Sequence, residues 1–147
     1  MREILFRGLT FDTKEWVEGS LYLPKLEKES GFAWILGELE ERTLVLLETV
    51  GQFTGLLDKN GKKVFEGDLV TIYDAYNACT AKGVAEIRFS YEYVGGWVAS
   101  SDGKDALNIG TRMNLVEVVG NVWDAKITEL ETYLKSVITT GEPPCSN

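Results

Sequence analysis

Apolar and polar residues alternate along much of this chain, and the commonest period is two. The clearest run is Ala85 to Tyr93, where Ala85, Ile87, Phe89, Tyr91 and Tyr93 alternate with Glu86, Arg88, Ser90 and Glu92. Successive side chains of a strand point to opposite faces, so the run predicts a strand with one buried aromatic face and one polar face. Gly95-Gly96 turns the chain into Trp97-Val98-Ala99-Ser100, the second arm of a hairpin, and Ser101 to Asp105 reads as a loop.

The N-terminal pattern predicts another hairpin. Its arms are Glu3 to Arg7 and Glu15 to Leu23, joined through the polar turn Asp12-Thr13-Lys14. Gly19 interrupts the second arm and marks a bulge or a close backbone approach. A charged loop, Pro24 to Gly31, leads to an apolar strand, Phe32 to Leu36. Gly37 to Arg42 is a charged turn, and Thr43 to Leu47 is the next strand. A helix from Leu39 to Val50 competes, since Leu39, Leu46 and Val50 sit at helical spacing; the short run and flanking turn residues favour strands. Leu115 to Trp123 is apolar on both faces and reads as a central covered strand weakened by Gly120.

The sharpest local signal is Asp58-Lys59-Asn60-Gly61, set between two apolar runs. Asn-Gly tolerates the positive φ that tight hairpin turns demand. Asp58, Asn60 and Gly61 also fit part of a calcium loop, but the later ligands and the glutamate at the twelfth position are missing. Glu66-Gly67-Asp68 then punctuates the chain before a strand from Leu69 to Tyr73. A Gly-Asp turn before a Val/Ile strand is frequent in small SH3-like barrels, an analogy of fold alone.

One helix is predicted, from Ala125 to Ile138, because Ile127, Leu130, Leu134, Val137 and Ile138 form one stripe. Asp124 is its candidate N-cap, and Gly141 with Pro143-Pro144 stops it. The expected fold is therefore mainly β: a small barrel-like or crossed-sheet domain, SH3-like in part, with one C-terminal helix. Residues 1–128 form the β domain, 125–139 the helix, and 140–147 a mobile tail.

The composition narrows the chemistry. The chain has 147 residues with 23 acids against 15 bases, a net charge of −8, which opposes binding to nucleic acid and to anionic membranes. There is no histidine, hence neither the commonest general base nor the commonest metal ligand. Cys79 and Cys145 stand far apart without a CxxC spacing, so no zinc site is expected, and reduced thiols are the simplest reading. No signal-peptide core or bilayer-length apolar run appears, so a cytoplasmic protein is expected.

Carboxylates are the plentiful acid–base groups, and Asp58, Glu66 and Asp68 lie close in sequence. They read as a metal or general-acid cluster, or more simply as turn residues bonded to backbone amides. The second reading explains the residue types without further assumptions. Ser and Thr nucleophiles lack an activating base. Trp16, Trp34, Trp97 and Trp123 would stack bases if set in a basic groove. With no basic cluster visible in the sequence, they are assigned to the core. No phosphate-binding glycine loop appears.

Three stretches together resemble one family. VGQFTGLLDKNGKKVFEGDLV, from Val50 to Val70, resembles the signature of the YopX family of phage and prophage proteins. FRGLTFDTKEWVEGSLY, from Phe6 to Tyr22, resembles its opening hairpin, and VEVVGNVWD, from Val116 to Asp124, its closing strand. The resemblance implies a mainly β fold and a phage or prophage origin, hence the cytoplasm of a bacterial host cell. It supplies no activity, no catalytic residue, no cofactor and no metal. Its signature positions, Gln52, Gly55, Asp58, Asn60, Gly61, Gly67 and Asp68, are expected to be structural.

Three functions remain in ranked order. The first is a non-enzymatic module that binds a protein partner or assembles with its own copies. The second is an acidic host-directed inhibitor that imitates nucleic-acid charge. The third is a carboxylate-based, metal-dependent enzyme.

Overall fold

The computed structural model describes residues 2–25, 30–77, 79–91, 96–102, 104–111 and 113–124. The predicted helix from Ala125 to Ile138 and the tail lie outside the described residues. The chain divides into two compact units, Met1–Gly55 and Leu56–Asn147.

The first unit is built on an antiparallel sheet. Its strands are β1 (Phe6–Leu9), β2 (Trp16–Tyr22), β3 (Phe32–Leu36), β4 (Arg42–Leu46) and β5 (Gly51–Leu57), the last running on into the second unit. Within the unit their order is β4-β3-β2-β1-β5. The expected hairpin is present, with Phe6 opposite Gly19 and Leu9 opposite Trp16. The alternative helix over Leu39 to Val50 is not formed; only Leu47–Thr49 makes one 3-10 turn. Ala33, Ile35 and Val45 are the fully buried centre, with Phe6, Val17 and Leu21 packed on them.

Gly8 and Gly19 are required by close approach. A Cβ on Gly19 would lie 2.0 Å from the Leu36 carbonyl oxygen across the β2–β3 pair, and one on Gly8 would lie 2.8 Å from Val45 Cγ2. The end of β1 reaches β4 through a single antiparallel bridge from Thr10 to Val45.

The second unit holds β6 (Lys63–Phe65), β7 (Asp68–Tyr73), β8 (Ala81–Ser90), β9 (Gly96–Ser101), β10 (Lys104–Asn108) and β11 (Val116–Asn121). Five of them form a second antiparallel sheet in the order β10-β9-β8-β7-β11. Val64, Val70, Ala85, Ile87, Ala99, Ile109 and Val116 are buried together on it. Both sheets are antiparallel and neither is a closed barrel, which corrects the barrel-like expectation: β10 and β11 end the second sheet on opposite sides.

Three sequence expectations also change here. β11 is an edge strand and not a central one, although its apolar residues do meet the core. Its register slips between Val118 and Gly120, an irregularity at Val119, beside the glycine that had weakened the pattern. The expected loop from Ser101 to Asp105 contains the start of β10, paired back on β9. The aromatic face of β8 is not wholly buried: Ala85 and Ile87 are, but Phe89 is 37% and Tyr91 87% exposed, while Ser90 is buried. The three rings Tyr91, Phe89 and Trp97 pack edge to face, with centroids 5.2 and 5.3 Å apart.

Candidate functional site

The signature residues of the second unit form a fastening. Gly61 has φ +80°, as a tight turn after Asn60 demands. The Asp58 N–H donates to Lys62 O at 2.8 Å and the Gly61 N–H to Asp58 O at 3.0 Å, closing the turn. Asp58 Oδ1 accepts the backbone N–H groups of Asn60 and Lys62 at 2.8 and 2.9 Å. Its other oxygen accepts the Val118 N–H of β11 at 2.9 Å. The same turn gives the Lys59 N–H to Val116 O at 2.9 Å and the Asn60 side-chain amide to Glu117 Oε1 at 3.2 Å. Glu117 Oε2 accepts the Tyr73 hydroxyl at 2.6 Å, and Lys59 Nζ lies 4.1 Å above the Tyr73 ring. One hairpin turn thus holds the edge strand at three consecutive residues.

Asp68 fastens the turn that precedes it. Its Oδ2 accepts the N–H of Phe65, three residues earlier, at 2.8 Å, and its Oδ1 accepts Asn121 Nδ2 at 3.4 Å. It ties the turn before it, not the one after, because β7 begins at Asp68 itself. Gly67 has φ +86°; its N–H donates to Ile87 O and its carbonyl accepts from Val122, both at 2.9 Å. Gln52 is a half-buried strand position opposite Phe6, and Gly55 has φ +82°. Asp58 and Asp68 are buried and bonded to backbone amides, the arrangement that turn chemistry predicted. No group of three or more metal-binding side chains occurs among the described residues.

A cavity of about 350 Å³ opens in the second unit. Ile72, Val84, Ala85, Leu107 and Leu115 wall it, and Lys82 stands at its side. Lys82 Nζ pairs with Asp74 Oδ2 at 3.0 Å. The Asp74 carboxyl is held below its usual pKa, first by the backbone N–H of Tyr76 and then by Lys82. None of the lining residues is a carboxylate, so an acid–base pair does not converge here. Cys79 is disulfide-bonded, which corrects the expectation of a reduced thiol there.

The first unit carries the surface that the sequence concealed. Residues facing away from its core fall into cross-strand rows. Leu44 lies opposite Trp34, and Trp34 opposite Tyr22; Leu46 lies opposite Phe32, and Arg42 opposite Leu36. On β1 and β2 the outward pairs are Leu9 with Trp16 and Arg7 with Glu18. Most of these are half-buried; Tyr22 remains 48% exposed. The Arg7 guanidinium sits 4.7 Å above the Trp16 ring and that of Arg42 5.8 Å from the Trp34 ring. Beside them Phe11, 51% exposed, meets Phe32 edge to face at 5.1 Å. Trp16 and Trp34 therefore lie outside the buried core to which they were assigned. β3 reads Phe-Ala-Trp-Ile-Leu, apolar on both faces, and only the register shows that the smaller residues point inward.

The fold and these sites define a class: a mainly β protein of two open antiparallel sheets, whose most distinctive residues fasten turns. Comparison with known proteins places it further. The profile of the YopX family, described as YopX protein, matches residues 5–126. The chain belongs to the YopX family. Among solved structures it is similar to the crystal structure of protein EF1440 from Enterococcus faecalis. The TM-score is 0.50 at 18% identity, over 83% of this chain and 94% of that one, a likeness of fold. No curated protein matches the chain.

Proposed function

We propose that this protein is a non-enzymatic binding module that engages a partner protein through the outward face of β1–β4. The observation that carries the reading is the row Leu44–Trp34–Tyr22, with Arg42 over Trp34, on the side of the sheet away from Ala33, Ile35 and Val45. Protein interfaces are enriched in Trp, Tyr, Phe and Arg, and their energetic centres more so. A sheet that is apolar on both faces needs something on each to keep water away. The bonding of Asp58 and Asp68 to backbone amides supports the ranking of a module above a carboxylate enzyme. The family's phage and prophage setting makes the partner a protein of the phage or of its bacterial host.

The test is a comparative one. Tyr22→Ser and Trp34→Ala proteins, checked for an unchanged circular dichroism spectrum, are used with the parent to capture cross-linked partners from infected or lysogenic cells. The expected result is a partner recovered by the parent and lost by both variants. A partner recovered equally by all three rejects the reading.

A further inference from the structure

The cavity of the second unit owes its space to one residue. On β8, Gly83 stands two positions before Ala85 and four before Ile87, both in the buried core, so it belongs to the inward face of the strand. It pairs with Ile72 of β7, and both line the cavity of about 350 Å³ together with Leu107 and Leu115. Nothing in the backbone calls for glycine there. Its φ lies outside the left-handed region, and a Cβ built on it meets no atom within 4 Å. Gly83 thus differs from Gly61, where φ favours glycine, and from Gly8 and Gly19, where close neighbours do. A glycine inside a strand weakens it, and an unfilled space beside a core forfeits packing. Gly83 costs stability on both counts, and what it supplies is room among aliphatic side chains.

We infer that this cavity is a binding site for a small, neutral, largely apolar molecule about the size of a bicyclic aromatic ring. The size follows from the volume: an apolar cavity of roughly 150 Å³ holds one benzene ring, and sites for small molecules begin near about 300 Å³. The neutrality follows from the lining. Lys82 is the one charged side chain among the described lining residues, and its Nζ is already paired with Asp74 Oδ2 at 3.0 Å. The Tyr73 hydroxyl is likewise committed, to Glu117 Oε2 at 2.6 Å. A charged ligand would shed water without gaining an uncommitted counter-charge among the described lining residues. An apolar ring would instead replace water against Ile72, Leu107 and Leu115. Ser101, also on the wall, brings a neutral hydroxyl that suits a single N–H or O–H on the ligand. The described lining lies within the second unit, and the inference does not depend on the outward face of β1–β4.

The experiment is a titration of the full-length protein with indole, followed through the methyl NMR signals of Ile72, Leu107 and Leu115. The expected result is a saturable shift of these methyl groups with a Kd of about 0.05–1 mM. Benzoate and benzylammonium should bind at least about ten-fold more weakly, because each must bury a charge. Gly83→Val places methyl groups in the space. It should raise the thermal midpoint by about 2–6 °C and weaken indole at least about ten-fold. A raised midpoint without indole binding to the parent would make the cavity a packing defect and overturn the inference. A lowered midpoint or a failure of the variant to fold would show that the space is not open, and would overturn it too. Indole binding unchanged by Gly83→Val, or shifts absent from the three methyl-bearing residues, would place the ligand elsewhere and reject the site. Benzoate or benzylammonium binding as tightly as indole would reject the neutral ligand class.

Discussion

The carboxylate of Asp58 reaches Val118, 60 positions later in the chain, and accepts its backbone N–H at 2.9 Å. Two further amides, those of Asn60 and Lys62, depend on its other oxygen. Asp58→Ala leaves all three without this acceptor and should cost roughly 3 kcal/mol. Asp58→Asn keeps one carbonyl oxygen for the turn but sets an NH2 group against the Val118 N–H, and should cost about 1–3 kcal/mol. Urea denaturation measures both losses, and Val118 amide exchange should quicken in each variant. An unchanged midpoint for Asp58→Ala would remove the carboxylate from the structural account.

Gly61 separates backbone strain from crowding. Its φ is +80°, yet a Cβ built there meets nothing within 4 Å. Gly61→Val should therefore lose about 1–3 kcal/mol through the backbone alone. Gly61→Asn should recover most of that, because asparagine enters the left-handed region readily. Equal losses for the two substitutions in thermal melts would mean that φ is not the cause.

Gly8 and Val45 test the close approach of β1 to β4. The Cβ of an alanine at position 8 would sit 2.8 Å from Val45 Cγ2 and 2.9 Å from its Cβ. Gly8→Ala should destabilise by about 1–3 kcal/mol as an overpacked site, and Val45→Ala by about 2 kcal/mol as a cavity. In the double variant the new methyl group occupies part of the vacated space, so the combined loss should be at least about 0.5 kcal/mol less than the sum. Strict additivity in the double-mutant cycle would refute the contact.

Asp74 gives a pH dependence with a definite sign. Its carboxyl is held low, by the Tyr76 N–H above all and then by Lys82. A depressed folded pKa stabilises the protein above the unfolded carboxylate pKa, and the contribution disappears as pH falls through the lowered folded value. Carboxyl NMR titration should place Asp74 below an ordinary aspartate, and Lys82→Met should raise its midpoint. The Tyr76 amide, bonded to Asp74 Oδ1 at 2.7 Å, should lose protection across the same acid interval. A midpoint indifferent to Lys82→Met would dismiss the ion pair as a contributor.

Local chemistry made much of the fold legible. The Asn60-Gly61 turn, the opening hairpin, and the strand Phe32–Leu36 each follow from a few neighbouring residues, and each is present. Gly19 was legible as a bulge or a close approach, and the second is what the β2–β3 pair shows. The two buried aspartates were legible as turn residues, although Asp58's third amide came from a strand that no local pattern could connect to it.

The remainder depended on pairing. A period of two tells which residues share a face, not which face is covered. Hence Phe89 and Tyr91 were assigned to the core with Ile87, although only the Ile87 portion of β8 reaches it. β11 was assigned to the sheet centre because its residues are apolar, but its neighbour on one side is β7 and it ends the sheet. The tryptophans show the same limitation most clearly. Arg7 and Trp16 are nine residues apart in sequence, and only the register of β1 on β2 lays one across the other.

The placement of β11 beside β7 also sets an order of events at the ribosome. Asp58 is synthesised long before the amide it will hold, and at about 5–20 residues per second the 60-residue interval lasts roughly 3–12 s. In the later part of that delay, once Tyr73 has been added, the nascent chain holds the turn and a strand, Asp68–Tyr73, whose unpaired margin is a template for any passing β-segment. Translation stalled in this window would release chains prone to pair with one another, and a message that slows the ribosome between these codons would lower the yield of native protein without altering a single residue.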